Sequence, residues 1–113
     1  MNLNLKAVAN LKIGETYSIC LKGARSFRKE KKSNLVIYYI DPSNTEIPKE
    51  ADAVVQSFKQ LPFITLNDED CSDNYNVNAR SVSSLESIMR EVYPTFDERE
   101  IVTLVQFKIE DIY

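Results

Sequence analysis

Residues 35–40, Leu-Val-Ile-Tyr-Tyr-Ile, constrain the fold of this chain more than any other segment. Five of these six residues are β-branched or aromatic, a composition typical of strands. Successive side chains of a strand point to opposite faces of its sheet, so a strand that is apolar throughout is covered on both faces. The turn-forming residues Asp41-Pro42-Ser43-Asn44 follow, because Asp opens turns and Pro fixes φ at the second position. We therefore expect a sheet with this strand in its interior.

Alternating or short apolar patterns predict further strands. Residues 16–22 place Tyr17, Ile19 and Leu21 on one face, with polar residues and Cys20 between them, as in a half-buried strand. Strands are also predicted at residues 63–66, 75–80 and 100–111, whereas residues 3–13 do not separate helix from strand. A polar, cationic stretch, residues 24–34, joins the strands 16–22 and 35–40. These two strands are predicted to pair as a long hairpin with a basic tip.

One helix is predicted firmly and a second competes with a strand. Ser83 and Glu86 have capping-box spacing. After them Leu85, Ile88, Met89 and Val92 form a one-face stripe that we assign to core packing. In residues 48–61, Pro48 and the following acids favour a helix, although residues 53–58 also suit a short strand. The sequence thus predicts one α+β domain spanning residues 1–113. It is mainly antiparallel, either a small barrel or a sheet of five to six strands, with one or two helices.

The residue inventory argues against catalysis. The chain has no histidine and only two glycines, which removes the commonest general base and any Gly-rich phosphate loop. Cys20 and Cys71 are far apart and lack a histidine partner, and the acidic stretch 68–73 lacks the register of a calcium loop. We therefore expect no enzyme activity, no cofactor and no metal.

The start of the sequence lacks the pattern of a signal peptide, and no apolar run reaches the roughly 18–20 residues of a membrane span. We therefore expect an intracellular protein, cytoplasmic or nuclear, that has reduced thiols and does not associate with membranes.

Charge is distributed unevenly along the chain. Residues 1–35 have a balance of +6 and residues 36–113 a balance of −9, within a net charge of −3. A basic arm on an acidic body can bind a polyanion locally. It can equally pair with the acidic part of its own chain or of a neighbouring copy, so a homo-oligomer held by oppositely charged halves is also possible.

The basic segment, residues 22–32, is the strongest functional feature. It holds six cations within eleven residues, with Phe27 among them. Single-stranded nucleic acid requires this combination, because cations follow the phosphates and a flat ring stacks on a base. Tyr38 and Tyr39 point to opposite faces of their strand, so one of them could also stack, although a core role is preferred for each. The predicted nucleic-acid-binding residues are Lys22, Arg25, Phe27, Arg28, Lys29, Lys31, Lys32, Tyr38 and Tyr39.

About half of the chain resembles an oligonucleotide-binding fold of the replication-protein-A type. The resemblance lies in the opening Val8-Ala9-Asn10-Leu11-Lys12-Ile13-Gly14, the strands 16–22 and 35–41 with their charged connection, and the stretch 75–82, which is similar to the last barrel strand. It implies that single strands bind across the second and third strands, between two connecting loops. Two features depart from the family. One short stretch, 49–60, has to supply both the third strand and the helix after it, and the acids of 68–73 would repel phosphate.

A protein-interaction module, such as an adaptor, subunit or inhibitor, is the alternative function. The acidic balance of residues 36–113 supports it. The long final strand supports it too, because a strand at the edge of a sheet can pair with the sheet of a partner.

Overall fold

The computed structural model describes residues 2–27 and 35–113. The predicted contacts of Arg28, Lys29, Lys31 and Lys32 lie outside these described residues. The strands are β1 (Asn2–Val8), β2 (Thr16–Lys22), β3 (Leu35–Asp41), β4 (Asn44–Pro62) and β5 (Ile101–Ile112). The helices are α1 (Asp68–Cys71) and α2 (Val82–Val92), with 3-10 turns at Phe63–Thr65 and Val77–Ala79.

The turn after β3 forms as the sequence predicted. The Asp41 carboxylate accepts hydrogen bonds from the backbone N–H of Ser43, at 2.8 Å, and from its hydroxyl. The chain then reverses into β4, which pairs antiparallel with β3. Pro42 and Ser43 therefore connect β3 directly to its neighbour in the sheet.

Residues 48–61 are part of a 19-residue strand, so the helix preferred for them is wrong and the strand alternative is right. β4 pairs with β3 along its first half and with β5 along most of its length. Ala51, Ala53 and Val55 are buried on one face of it. Backbone hydrogen bonds to two neighbouring strands outweigh the weak helical spacing of the apolar residues.

The five strands lie in the order β1-β3-β4-β5-β2. β1 runs parallel to β3, and the other neighbours are antiparallel. The hairpin predicted between β2 and β3 is wrong, because β4 and β5 lie between them in the sheet. β4 follows β3 after a two-residue turn and can pair with it directly, whereas the whole basic segment separates β2 from β3 in the chain. β3 is an interior strand, as predicted.

The sheet curls into a half-barrel, with one hydrophobic cluster on each face. The inner cluster draws residues from all five strands, including Leu5, Ile19, Ile37, Val55 and Phe107. The outer cluster joins β2 and β5 to the helical segments through residues such as Cys71, Leu85 and Phe96. β5 is therefore buried on both faces from Val102 to Val105. A mainly antiparallel sheet with two short helices is confirmed.

Several local predictions differ from the structure. The segments predicted as strands at 63–66 and 75–80 contain 3-10 turns instead, and the acidic stretch after Leu66 contains the one-turn helix α1. Helix α2 forms as predicted, but Ser81 caps it by accepting from the Ser84 N–H, rather than Ser83 with Glu86. Val92 is exposed, so the core stripe of this helix ends at Met89. In the described part of the chain, no helix is long and apolar enough to cross a membrane.

Candidate functional site

A cleft of about 570 Å³ lies where the edge of β2 meets α2. Its apolar wall comes from Leu21 of β2 and from Leu85 and Met89 of α2. The polar, charged and aromatic residues that line it are Asn4, Asn74, Asn76, Asn78, Glu91, Tyr75 and Tyr93. Strand β1 contributes Asn4, so the cleft touches both outer strands of the curled sheet.

The chain crosses the outer edge of β2 at Ser18 and thereby shapes the cleft. The Ser18 N–H donates to the carbonyl of Asp73, and the Ser18 carbonyl accepts from the Tyr75 N–H, each at 2.9 Å. This bridge holds Asn74 against β2 and directs the chain into the 3-10 turn at Val77–Ala79. Tyr75 also packs against the inner cluster, so its ring has a fixed place in the wall.

The asparagines of this wall are oriented by the backbone that follows them. The Asn74 side-chain oxygen accepts from the Asn76 N–H at 2.9 Å, and the Asn76 side-chain oxygen accepts from the Asn78 N–H at 3.0 Å. Asn74 is only 2% exposed and Asn76 is half-buried. Amide groups and tyrosine rings together suit a flat ligand with hydrogen-bonding edges.

Lys22 provides a cation beside the cleft. Its Nζ lies 5.1 Å from the centroid of the Tyr93 ring, within the range of a cation–π contact. No carboxylate in the described part of the chain forms an ion pair with Lys22. Lys22 therefore contributes a positive charge next to the Tyr93 ring in the wall of the cleft.

Arg25 is exposed at the side chain and anchored at the backbone. Its N–H donates to Thr103 Oγ1 and its carbonyl accepts from Gln60 Nε2, both at 2.8 Å. The Thr103 hydroxyl in turn donates to the Gly23 carbonyl at 2.7 Å. The backbone of Arg25 is thereby held against Thr103 of β5 and Gln60 of β4.

The structure places the predicted aromatic residues differently from one another. The Phe27 ring is half-buried against the inner cluster, with its centroid 5.8 Å from that of Phe58, so it is not the free stacking platform that was predicted. Tyr39 is 1% exposed, and the prediction that it could stack is wrong because β3 buries that face.

Tyr38 is half-buried on the other face and pairs in register with Asn4 of the cleft. A hydrogen bond with Glu50 raises the pKa of the Tyr38 hydroxyl.

The acids of residues 68–73 support local structure rather than neutralising Lys22 or Arg25. Asp70 pairs with Lys59 at 2.9 Å and also caps α1 with Asn67, and the bond to Lys59 holds its pKa below the ordinary value. Asp68 accepts from the Val82 N–H at 2.9 Å, and Asp73 accepts from Gln106 at 3.0 Å.

Sequence reasoning missed the cleft itself. Its wall comes from a stretch predicted as a strand and from a helix face assigned wholly to the core. The available signal was the asparagine at every second position, Asn74, Asn76 and Asn78, because a short polar side chain that bonds to the backbone two residues on marks a turn rather than a strand.

Comparisons of the chain with models of known families, with curated proteins and with solved structures found no match.

Proposed function

We propose that this domain binds single-stranded nucleic acid without catalysing a reaction. One unstacked base enters the cleft, and the neighbouring phosphates meet Lys22, Arg25 and the basic residues that follow them in the sequence. The observation that carries the proposal is a cleft lined by tyrosines and asparagines beside Lys22, whose charge is not neutralised by the described carboxylates.

The dimensions of the cleft favour a single strand over a duplex. A volume of about 570 Å³ lies within the roughly 300–1,000 Å³ typical of small-ligand sites. A base can reach such a site only when it has left its stack, which is easiest in an unpaired strand. The apolar wall formed by Leu21, Leu85 and Met89 then contacts the base in place of the neighbouring bases on which it was stacked.

The resemblance to an oligonucleotide-binding fold stays a prediction. In that family the second and third strands carry the bound strand. Here the proposed base site lies at the edge of β2 and depends on α2 and the segment 74–79. Both the present proposal and the resemblance to that family assign phosphate binding to the basic segment.

A titration of fluorescence anisotropy with a labelled 12-nucleotide single strand, at 50 and 200 mM salt, tests the proposal. We expect affinity to fall with a log–log slope of about −0.7 per phosphate contacted, and a duplex of the same sequence to bind more weakly. An affinity that does not change with salt, or equal binding of the duplex, would contradict the proposal.

A substitution that fills the cleft tests whether the base enters there. Asn4→Trp places a large ring at an exposed position in the lining of the cleft. We expect it to weaken binding. Asn2→Trp is the matched control, because Asn2 is exposed on the same strand and does not line the cleft. Equal binding by both variants would place the base elsewhere.

A protein partner is the second candidate, and the outer face of β4 and β5 favours it. Asp52 and Asp111 lie directly opposite each other in the register, although like charges at such positions are destabilising. Tyr113 is exposed and donates its hydroxyl to Asp52. The charges of this surface fit a basic partner. The edge-strand argument for this candidate is wrong, because β5 lies between β4 and β2.

A pulldown from nuclease-treated extract distinguishes the two candidates. A protein partner recognised by the acidic face should persist after nuclease treatment and should be lost with Asp111→Asn. Loss of every captured protein on nuclease treatment would count against this second candidate. Self-association through oppositely charged halves and an intracellular location stay predictions.

A further inference from the structure

We infer that the outer face of β3 docks an amphipathic helix of a partner protein, with lysine or arginine along one flank of its apolar stripe. The inference goes beyond the proposed binding of single strands, and it gives the second candidate function a defined surface and class of partner. It follows from the apolar side chains on this face of β3 and from the carboxylates beside them.

Three residues of β3 form an apolar strip on the outer face of the sheet. Ile37 and Tyr39 are buried in the inner cluster, so the alternation of a strand turns the residues next to them outwards. These are Val36, Tyr38 and Ile40, each of them half-buried. They belong to neither hydrophobic cluster, since the helical segments pack over β2 and β5 instead. In the described part of the chain, only the inner face of β3 joins a hydrophobic cluster, although a strand that is apolar throughout is ordinarily covered on both faces.

The position of β3 in the sheet decides the form of the partner. β3 lies between β1 and β4 and pairs with both, so a partner cannot add a strand to it. A helix instead brings a stripe of apolar side chains onto the face of a sheet. The strip from Val36 to Ile40 is about 13 Å long, because a strand rises about 3.3 Å per residue, and about two to three helical turns span that length.

Carboxylates border the strip along β4 and β5. Glu50 pairs in register with Tyr38, and Asp52 pairs with Val36. Asp111 lies opposite Asp52 on the next strand. The ion pairs formed by the described residues involve none of these three carboxylates. Cations of a partner therefore complement charges that the described chain does not pair itself.

The other side of the strip differs in charge, and this sets the arrangement of the partner. The residues of β1 in register with Val36 and Tyr38 are Asn2 and Asn4, which are uncharged and exposed. A helix lying along β3 thus meets carboxylates on one flank and amides on the other. Lysine or arginine is required only on the flank that faces β4.

Two tyrosines make the acidic flank suitable for these cations. The Tyr113 N–H donates to the Glu50 carbonyl at 2.9 Å, so Glu50 lies between Tyr113 and Tyr38 on neighbouring strands. The Tyr113 hydroxyl donates to Asp52. A guanidinium or ammonium group placed here meets a carboxylate and an aromatic ring together, and both contacts favour arginine and lysine.

The test titrates the protein with a fluorescent 18-residue peptide of leucine and lysine and follows anisotropy. Its leucines have the spacing of one helix face and its lysines flank them. A peptide of the same composition in scrambled order has the same charge and no apolar stripe. We expect the amphipathic peptide to bind about tenfold more tightly or better, because its leucines cover the strip. Equal binding of the two peptides, or no binding of either, would overturn the inference. Both results leave the proposed binding of single strands standing, since that binding uses the cleft.

Tyr38→Thr tests the apolar strip. Threonine is also a strand-forming residue, but the ring at the centre of the strip is lost. We expect affinity for the amphipathic peptide to fall about tenfold or more, as for a central aromatic residue of an interface. Ile64→Thr is the matched control, because Ile64 is an exposed apolar residue in a 3-10 turn outside this face. Unchanged affinity in Tyr38→Thr, or an equal fall in the control, would overturn the inference. Self-association of the protein that is lost in Tyr38→Thr would place a second copy on this face and would also overturn it.

Asp111→Asn tests the carboxylates and stays informative even where Tyr38→Thr does not fold. It removes a like charge opposite Asp52, so we expect a folded sheet. The amphipathic peptide should bind more weakly, and its affinity should depend less on salt. Glu98→Gln is the matched control, because Glu98 is an exposed acid that precedes β5, whereas Asp111 lies near the other end of that strand. The same salt dependence in both variants would overturn the assignment of the cations to this flank.

Discussion

The ring of Phe27 meets the ring of Phe58 edge-on, with the centroids 5.8 Å apart and the planes at 60°. Phe27 directly precedes the undescribed part of the basic segment, and Phe58 belongs to β4. Both rings pack against the inner cluster. The contact ties the beginning of the cationic stretch to the core, so the aromatic residue among the cations serves the fold.

Phe27→Ala is expected to lower the free energy of unfolding by about 2 kcal/mol, less than for a fully buried ring because Phe27 is half-buried. Phe27→Leu should retain most of the stability, since it keeps an apolar group against Phe58. Urea unfolding measures both variants. Unchanged stability in Phe27→Ala, together with lost oligonucleotide binding, would instead make the ring a stacking platform.

Thr103→Val should loosen the start of the basic segment without changing the shape of the core. The hydroxyl that links Gly23 and Arg25 is lost, and a buried group left unpaired costs about 1–3 kcal/mol. Amide hydrogen exchange is expected to become faster at Arg25. Gln60→Ala is a useful comparison because it removes the bond to the Arg25 carbonyl and leaves the N–H in place. Exchange at Arg25 that stays at the wild-type rate in Thr103→Val would argue against the anchor.

Lys22→Met should reduce the magnitude of the salt slope of single-strand binding by about 0.7, the contribution of one phosphate contact. Lys22→Arg should keep the slope, since a guanidinium also lies well over a tyrosine ring. Lys12→Met serves as the control, because Lys12 is exposed and does not line the cleft. Identical slopes for Lys22→Met and the wild type would remove Lys22 from the binding surface.

Stability should decline at high pH through the two buried thiols. Burial raises the pKa of Cys20 to about 12 and that of Cys71 to about 11, whereas a thiol in the unfolded chain titrates near pH 8.5. A raised pKa in the folded state gives stability that is complete below the unfolded value and is lost as pH rises towards 11 and 12. Urea unfolding at pH 7, 9 and 10.5 measures the decline. Cys20→Ala should show a shallower pH dependence, and a slope equal to that of the wild type would contradict this account.

Local patterns were sufficient for β2, β3, the turn after β3, α2 and β5. Each of these segments has a periodicity or a turn signal that only one backbone conformation fits. Local patterns were insufficient for β4, because residues 48–61 carry spacing compatible with both helix and strand. They also failed for the segments at 63–66 and 75–80, which are too short for their alternation to be decisive.

The candidate site was only partly predictable. The cations of the basic segment are evident in the sequence, and the structure places Lys22 beside the ring of Tyr93 and exposes the side chain of Arg25. The cleft was not evident, since it brings together Asn4 of β1, the edge of β2, the stretch 74–79 and one face of α2. Strands β1 and β2 are far from the other two segments in the chain, and no local pattern records that they meet.

The sequence by itself determined that residues 35–40 form a strand with two apolar faces, where the chain turns after Asp41 and where its positive charge is concentrated. The tertiary structure decided that β3 pairs with β4 rather than β2, that Phe27 packs on Phe58, and that a cleft opens beside β2. The physical reason is that side-chain periodicity acts within a few residues. Strand order, by contrast, depends on hydrogen bonds and buried contacts between residues far apart in the chain, which form only when the whole sheet closes around its core.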